Sequence, residues 1–509
     1  MATQIVTSEA NTAAVPGEAL EFDDIQGLVF FGHGHLKYSR YVFLRMKDGK
    51  QARARAWLRT LLERKEVSTA SGKQHPGLKD VKGEHALQVA FTYSGLKALG
   101  LSPEVMTTFL QEFREGMRDE RRARILGDTG GSAPEKWQVG GDATMAHVVL
   151  VLFGKDDADL DVFHASHRDC YQEALEEVFI QDADMRQGDT EPFGFRDGIS
   201  FPYIKGVPTT RGSDALGLPI NAGEFILGYH NAYGQYPFSP RVPRSQDPGN
   251  LLPDVPRSQR VSGEPRPKDL GRNGTYLVIR KLRQDVAGFW KFVEENSRDP
   301  DKSAEENEAN KELLAAKLVG RWRSGAPVEL CPMKDDPTLG ADSARNNHFE
   351  FRDDPYGVKC PLSSHVRRSN PRDTLVDDPQ ESIKLGSRHL IIRRGRPYHD
   401  KFADGAEEQG LMFVALNTNI GRQFEFIQQT WMNNPKFSDL YDSKDPIAGD
   451  NYDPEYPGDE PKDYTAVVPG FPVRQRLTGL PRFVHTRGGD YFFLPGIKAL
   501  RYLSMERTP

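Results

Sequence analysis

The order of apolar segments repeats in the two halves of the chain, and this repeat limits the possible fold more than any other feature. In the first half, apolar runs predict strands at 27–35, 41–46, 85–93 and 146–154, and helical spacing predicts a helix at 52–65. In the second half, the same criteria predict strands at 224–234, 275–282, 389–395 and 410–420, with helices at 284–296 and 421–433. Because the elements follow one another in corresponding places, we expect a duplicated α+β fold built on antiparallel sheets.

Composition adds long, ordered loops to this repeated core. The chain of 509 residues contains 47 glycines and 35 prolines, and 37% hydrophobic residues are too many for an unfolded chain. The Pro-rich stretch 235–273 predicts an irregular surface loop. The charged stretch 300–317 predicts an exposed helix, and the acidic stretch 439–463 predicts a solvated loop.

Several classes of protein are disfavoured by charge and by missing motifs. A net charge of −6 argues against a protein surface that binds nucleic acid and against a polybasic surface that binds a membrane. The apolar runs are shorter than the roughly 20 residues of a membrane helix. Cys170, Cys331 and Cys360 lack the spacing of a disulfide framework, a zinc site or a c-type haem attachment. Without a GxSxG, HExxH, Walker A or strand-following GxGxxG motif, hydrolases and nucleotide enzymes are not expected.

The first candidate site is the segment EPFGFRDGISFPYIKG at 191–206. Gly194 and Gly198 flank Asp197 in what we predict to be a tight turn. A carboxylate held between glycines can point into a cavity, because the backbone there can approach a flat ligand closely. The same pattern also occurs in ordinary turns, so the spacing alone leaves both interpretations open.

The second candidate is KCPLSSHVRRSNPRD at 359–373, in which His365 lies among small and basic residues. The imidazole of His365 could bind the metal of an anionic cofactor. The cations that follow it could pair with the charges of that cofactor; they are Arg367, Arg368 and Arg372. Haem fits this description, since a single histidine can ligate its iron and arginines can pair with its propionates. A surface histidine or a buried, hydrogen-bonded one is the alternative.

The third candidate is HLIIRRGRPYHD at 389–400, a predicted strand that ends in Arg393 and Arg394. An arginine at the end of a buried strand needs a carboxylate or an oxyanion as partner. The alternative is that the strand end simply enters solvent.

Taken together and in this order, the three segments resemble the dye-decolourising peroxidases, a haem peroxidase family, and most closely its fungal branch. The resemblance extends over nearly the whole chain. It includes DDIQGLVFFGHGH near the start, LQVAFTYSGLKALGL, FREGMRDERRARILGD, NGTYLVIRKLRQDVAGFW and GLMFVALNTNIGRQFEFIQQTWMNN.

The resemblance implies a fold of two ferredoxin-like halves, with one haem b per chain held in the C-terminal half. We accordingly place an N-terminal extension at 1–20, an N-terminal domain carrying the Asp197 loop at 21–210, and a C-terminal haem-binding domain at 211–509. Since residues 1–20 have no secretory signal, localisation stays open between a secreted enzyme, as the family suggests, and a cytoplasmic one.

Carried over to this chain, the family pattern makes His365 the proximal iron ligand and Asp445 the carboxylate that supports it, with Asp450 as the alternative. It places Asp197 with Gly198 of the same motif, and Arg393, on the distal side. Leu411 and Phe413 resemble the apolar residues that line the distal pocket in the family, and Arg372 is the expected partner of a haem propionate.

The implied reaction uses hydrogen peroxide and passes through a ferryl intermediate to oxidise dyes, phenolics and lignin-like aromatic compounds. Tyr398 and Trp431 resemble positions that the fungal branch uses as exposed radical sites, although packing aromatics are the alternative. The cluster Glu350, Asp353 and Asp354 could bind manganese(II) as a further reductant, or form a solvated loop. A haem-handling protein with incidental peroxidase activity is the alternative function, which the Asp197–Arg393 pair disfavours.

Overall fold

The structure, a computed structural model, describes residues 19–71, 84–185, 188–202, 204–205, 207, 219–259, 265–402, 404–456, 458–470 and 473–506. The extension predicted at 1–20 lies almost entirely outside these ranges. Within them, no helix is both long and apolar enough to cross a membrane.

The strands found in the described ranges are β1 (Tyr38–Met46), β2 (Ala86–Phe91), β3 (Val148–Gly154), β4 (Leu175–Asp184), β5 (Arg241–Val242), β6 (Lys268–Asp269), β7 (Thr275–Gln284), β8 (Ile392–Arg393), β9 (Arg396–Lys401), β10 (Glu407–Asn417), β11 (Thr465–Val468), β12 (Gln475–Thr478) and β13 (Val484–Leu494). The α-helices found there are α1 (Gln51–Glu63), α2 (Tyr93–Ala98), α3 (Pro103–Met106), α4 (Gln111–Glu115), α5 (Glu120–Leu126), α6 (Asp157–Tyr171), α7 (Val286–Ser297), α8 (Ala304–Val319), α9 (Pro337–Ala341), α10 (His365–Ser369), α11 (Pro379–Ser387) and α12 (Ile497–Leu503).

Strand pairing confirms the predicted duplication. The main sheet has the order β4-β1-β3-β2-β13-β7-β10-β8, with β9 also paired to β10. When each half is numbered from its own first strand, both halves have the order 4-1-3-2 of the ferredoxin-like fold, and all pairings in the main sheet are antiparallel.

The two halves join into one continuous sheet rather than standing apart. Phe91 of β2 pairs with Phe493 of β13, which links the edge of one half to the edge of the other. At the outer edges, Gln181 of β4 donates a hydrogen bond of 2.7 Å to Asp400 of β9. The sheet therefore curls until its two ends meet, as in a barrel.

Two predicted strands are wrong. Residues 27–35 form a 3-10 turn at Gly27–Val29 followed by irregular chain, and 224–234 follow a 3-10 turn at Ala222–Glu224 with further turns. Both segments are rich in aromatic and apolar residues because they are buried, but their glycines allow turns where a strand would have to continue.

Two predicted surface segments are partly buried. In α8 the N-terminal turns are exposed, but the segment from Leu314 to Leu318 is buried. The acidic stretch 439–463 is not a simple solvated loop, because Asp445, Asn451 and Asp453 are at most 1% exposed. The described parts of the Pro-rich stretch are irregular apart from the short strand pair β5 and β6 and a 3-10 turn at Arg244–Gln246.

Candidate active site

A cavity of about 380 Å³ lies over one face of the C-terminal half of the sheet. Alternate residues of β7, β10 and β13 line it, since successive side chains of a strand point to opposite faces. They are Arg280, Leu282, Gln284, Leu411, Phe413, Val484 and Thr486. The cavity also receives Asp197, His365, Arg372 and Arg393, so the structure brings together the principal predicted haem-pocket residues.

The loop that carries Asp197 turns sharply at the glycines on either side of it. Gly194 has φ +96° and Gly198 has φ +72°, conformations that other residues rarely adopt. Although the loop follows the N-terminal strands in sequence, it packs on the C-terminal half, where Trp290 of α7 donates a hydrogen bond of 3.1 Å to the Phe193 carbonyl.

Asp197 forms an ion pair with Arg393 inside the cavity. Arg393 Nη1 lies 3.2 Å from Asp197 Oδ1, and the amide of Gly198 donates to the same oxygen at 2.7 Å. Burial raises the pKa of Asp197, but the charges of Arg393 and His365 and the Gly198 amide outweigh it, so the pKa lies below its ordinary value. The partner expected for Arg393 is therefore a carboxylate in a pocket.

His365 begins α10 and is held by a buried carboxylate. Its Nδ1 lies 2.9 Å from Oδ2 of Asp445, which is fully buried, while 27% of the His365 side chain remains exposed along the cavity. Burial lowers the pKa of His365, but Asp445 outweighs it and raises the pKa above its usual value. With Nδ1 engaged, Nε2 is the ring nitrogen left for a ligand.

Asp445, rather than the alternative Asp450, is thus the carboxylate that contacts the histidine. Its other oxygen, Oδ1, accepts hydrogen bonds of 2.8 Å from the amides of Ile447 and Ala448. Burial raises the pKa of Asp445, but the contact with His365 and these amides lower it below its ordinary value.

The arginines after His365 have separate functions. Arg367 pairs with Asp354 at 3.2 Å, and Arg368 donates to the carbonyls of Trp431 and Ser443, so both stabilise the surrounding chain. Arg372 lines the cavity and donates 2.7 Å to Asn347 Oδ1.

Arg321 also lines the cavity and donates 3.0 Å to the same Asn347 oxygen, but sequence reasoning missed it. Burial, together with the charges of Arg372 and Arg393, lowers its pKa to about 9. Among the described residues, no carboxylate forms an ion pair with Arg321. The one sign of it in the sequence is that a basic residue follows an apolar helix end and Gly320.

The prediction that Tyr398 and Trp431 are exposed is wrong, since each is only 2% exposed. Tyr398 is on β9, where its hydroxyl donates to Glu408 at 3.0 Å and Lys281 lies 4.6 Å from its ring. Trp431 lies in the π-helical stretch Ile427–Met432 and packs edge-on against Phe426. Both side chains are packing aromatics because their elements face the interior.

The predicted manganese cluster does not form. Asp354 is 4% exposed and accepts hydrogen bonds from the amides of Val358, Lys359 and Cys360, so its oxygens are already used. Glu350 and Asp353 are exposed. In the part of the chain that the structure describes, no group of three or more His, Cys, Asp or Glu side chains could hold a metal ion.

Known proteins are similar to this chain in sequence. The family model described as the DyP dimeric alpha+beta barrel domain matches residues 24–187. A dye-decolorizing peroxidase of Exidia glandulosa is 30% identical, with 98% of this chain and 88% of the relative covered. Dye-decolorizing peroxidase msp1 of Mycetinis scorodonius is also 30% identical, with 82% and 76% covered.

Solved structures show the same fold. The crystal structure of a fungal DyP-type peroxidase from Auricularia auricula-judae superposes with a TM-score of 0.74 at 26% identity, covering 96% of this chain and 100% of that one. The shared fold and the identity over nearly the full length show that the chain belongs to the dye-decolourising peroxidase family, in its fungal branch.

Proposed function

We propose that the protein is a haem peroxidase that uses hydrogen peroxide to oxidise dyes and other bulky aromatic compounds. One observation carries the assignment of residues: the Asp197–Arg393 pair and the His365–Asp445 pair line the same cavity. A protein that only handled haem would have no use for an acid–base group beside the open iron position.

The residues of the cavity suit haem. His365 Nε2 can ligate the iron, the apolar Leu411 and Phe413 can pack on the porphyrin, and Arg321 and Arg372 can pair with its anionic propionates. Arg321 is the strongest support for haem, because an anionic ligand would stabilise a buried cation that has no ion-paired carboxylate in the described part of the chain. When bound, haem would supply a group that gives two electrons to peroxide and regains them from the reductant.

Asp197 is suited to move the proton that peroxide cleavage requires. Its carboxylate can accept a proton from one peroxide oxygen and return it to the other, so that water leaves. Because its pKa lies below the ordinary aspartate range, Asp197 stays ionised in acid. Arg393 can stabilise the negative charge that develops on the departing oxygen.

Asp445 keeps the proton of His365 on Nδ1 and thereby leaves the Nε2 lone pair directed to the cavity. A full negative charge behind the imidazole also increases the electron donation of the ring to its ligand.

The pH dependence of the reaction with peroxide tests the proposal. In the wild type, the second-order rate constant should remain high down to the low pKa of Asp197 and fall only as this carboxylate is protonated. In Asp197→Asn the rate constant should be lower by about 100-fold or more, and it should not show the decrease in acid.

Asp189→Asn is the matched control, since it removes an exposed carboxylate near the same loop. Its profile should equal that of the wild type. An Asp197→Asn profile like the wild type, measured by stopped-flow absorbance, would refute the role of Asp197.

A further inference from the structure

Glu191, at the start of the loop that carries Asp197, uses both carboxylate oxygens to close that loop. Its Oε1 accepts from the Phe195 amide at 2.9 Å, and Oε2 accepts from the Phe193 amide at 3.0 Å. The backbone closes the same turn, since the Glu191 amide donates 3.0 Å to the Phe195 carbonyl and the Gly194 amide donates 2.8 Å to the Glu191 carbonyl. One side chain therefore fixes two amides in the turn before the distal aspartate.

Glu191 also ties this turn to the sheet. Gln284, the last residue of β7 and 9% exposed, donates a hydrogen bond of 2.6 Å to Glu191 Oε2. Both side chains line the cavity. The contact joins a loop that follows the N-terminal strands to a strand of the C-terminal half.

Only Arg196 separates Phe195 from Asp197, and two hydrogen bonds hold Arg196 in place. Its amide donates 3.2 Å to the Arg323 carbonyl, and its Nη1 donates 2.8 Å to the Gly340 carbonyl. Because the link is a single ordered residue, we expect a displacement at Glu191 to shift Asp197, whose ion pair with Arg393 at 3.2 Å requires the loop in this place.

We propose that Glu191 and Gln284 form a clamp that positions Asp197 against Arg393, which makes Glu191 a positioning residue for the peroxide reaction. This inference rests on the proposed function. Glu191 contacts the loop and the sheet rather than peroxide, so its effect must appear as a change in the properties of Asp197.

The sign of that change separates positioning from simple electrostatics. The charge of Arg393 is the largest of the effects that lower the pKa of Asp197, so a loop that moves away from Arg393 should raise this pKa. Burial raises the pKa of Glu191 itself, so little of its negative charge remains where Asp197 titrates, and removing that remainder without moving the loop should lower the pKa of Asp197. A role confined to folding should change neither.

The test is equilibrium binding of cyanide to the ferric holoenzyme, followed by the Soret shift as a function of pH. Hydrogen cyanide must give up a proton to bind as the anion, so the midpoint of the acid limb reports the pKa of the distal base. In Glu191→Gln, at least one of the three donors would face the side-chain NH2 group instead of an oxygen. Gln284→Leu removes the hydrogen bond to β7 and keeps the Glu191 carboxyl group.

We expect the midpoint to rise by about one pH unit in Glu191→Gln and by a smaller amount in Gln284→Leu. Glu329→Gln, which neutralises a buried glutamate paired with Lys359 outside the cavity, should not move it. A lowered midpoint in Glu191→Gln, or wild-type midpoints in both clamp variants, would overturn the proposal. If Glu191→Gln does not fold, Gln284→Leu alone decides.

The variant Asp197→Asn shows whether a negative result contradicts only the clamp or also the proposed function. If it removes the acid limb while the clamp variants leave the midpoint unchanged, only the clamp is wrong. If it leaves the acid limb unchanged, Asp197 is not the distal base, and the clamp is overturned with it.

Discussion

At the scale of single residues, neighbouring arginines of one motif have different functions because strand geometry directs them to different sides. Arg393 enters the cavity and pairs with Asp197. Arg394 donates to the carbonyls of Leu28 and Val29, at 3.0 Å each. Arg396 donates to the Leu36 carbonyl at 2.7 Å. Two of these cations anchor the first segment of the chain, and one serves the site.

Asp490 carries a pH dependence of stability that does not involve the site. Burial raises its pKa to about 6, although the amides of Tyr491 and Met117 donate to its Oδ1 and oppose this effect. The folded state thus binds this proton more tightly than the unfolded state, where the pKa is about 3.9. The proton therefore contributes about 2–3 kcal/mol to the free energy of unfolding. This contribution is complete below pH ~4 and is lost as the pH rises through ~6.

Asp490→Asn should remove this loss, because an asparagine Oδ1 can keep both amide hydrogen bonds. We expect the variant to be more stable than the wild type at pH ~7, and the difference to shrink toward pH ~4. Urea unfolding at the two pH values measures it. An equal difference at both values would show that Asp490 does not titrate in this range.

The site residues that sequence reasoning found are those with a motif around them. Asp197, His365 and Arg393 lie in short segments that resemble the family, and each lines the cavity. Glu191 and Arg321 were missed because their functions depend on partners distant in sequence, such as Gln284 and Asn347. A pattern of neighbours along the chain cannot show such a contact.

At the scale of elements, the short strand β8 and its connection to β9 depend on one glycine. A Cβ added to Gly395 would lie 2.7 Å from the Met412 carbonyl oxygen and 3.2 Å from the Phe413 Cα. Both belong to the backbone of β10, which cannot rotate away. The glycine therefore allows β8 to lie close enough to β10 to direct Arg393 into the cavity.

Gly395→Ala should lower the free energy of unfolding by about 1–3 kcal/mol, because β8 must move away from β10. Gly34→Ala is the matched control, since nothing lies within 4 Å of its added Cβ. Thermal unfolding compares the two. A melting temperature of Gly395→Ala equal to that of the wild type would contradict the close packing.

Elements with continuous apolar runs were predicted and those with mixed runs were not. The strands β1, β2, β3, β7 and β10 lie within or overlap predicted runs. The missed strand β4 mixes acidic and apolar residues at the sheet edge, and β13 contains a bulge between Thr486 and Gly488. Both owe their conformation to pairing with distant strands, which the local pattern does not contain.

At the scale of the whole molecule, the two halves exchange segments around the cavity. The Asp197 loop follows the N-terminal strands but packs on α7 and β7. In return, Asp453 from the acidic stretch of the C-terminal half accepts 2.8 Å from the Gly131 amide. Each half thus supplies one side of the candidate haem pocket with a segment that the other half holds in place.

Titration of the apoprotein with haemin, followed by the Soret band, tests the central claim that this cavity holds haem through His365. We predict one haem per chain in the wild type, unchanged binding in His348→Ala, whose histidine is exposed, and affinity lower by on the order of 100-fold or more in His365→Ala. Wild-type affinity with an unaltered Soret band in His365→Ala would contradict the account.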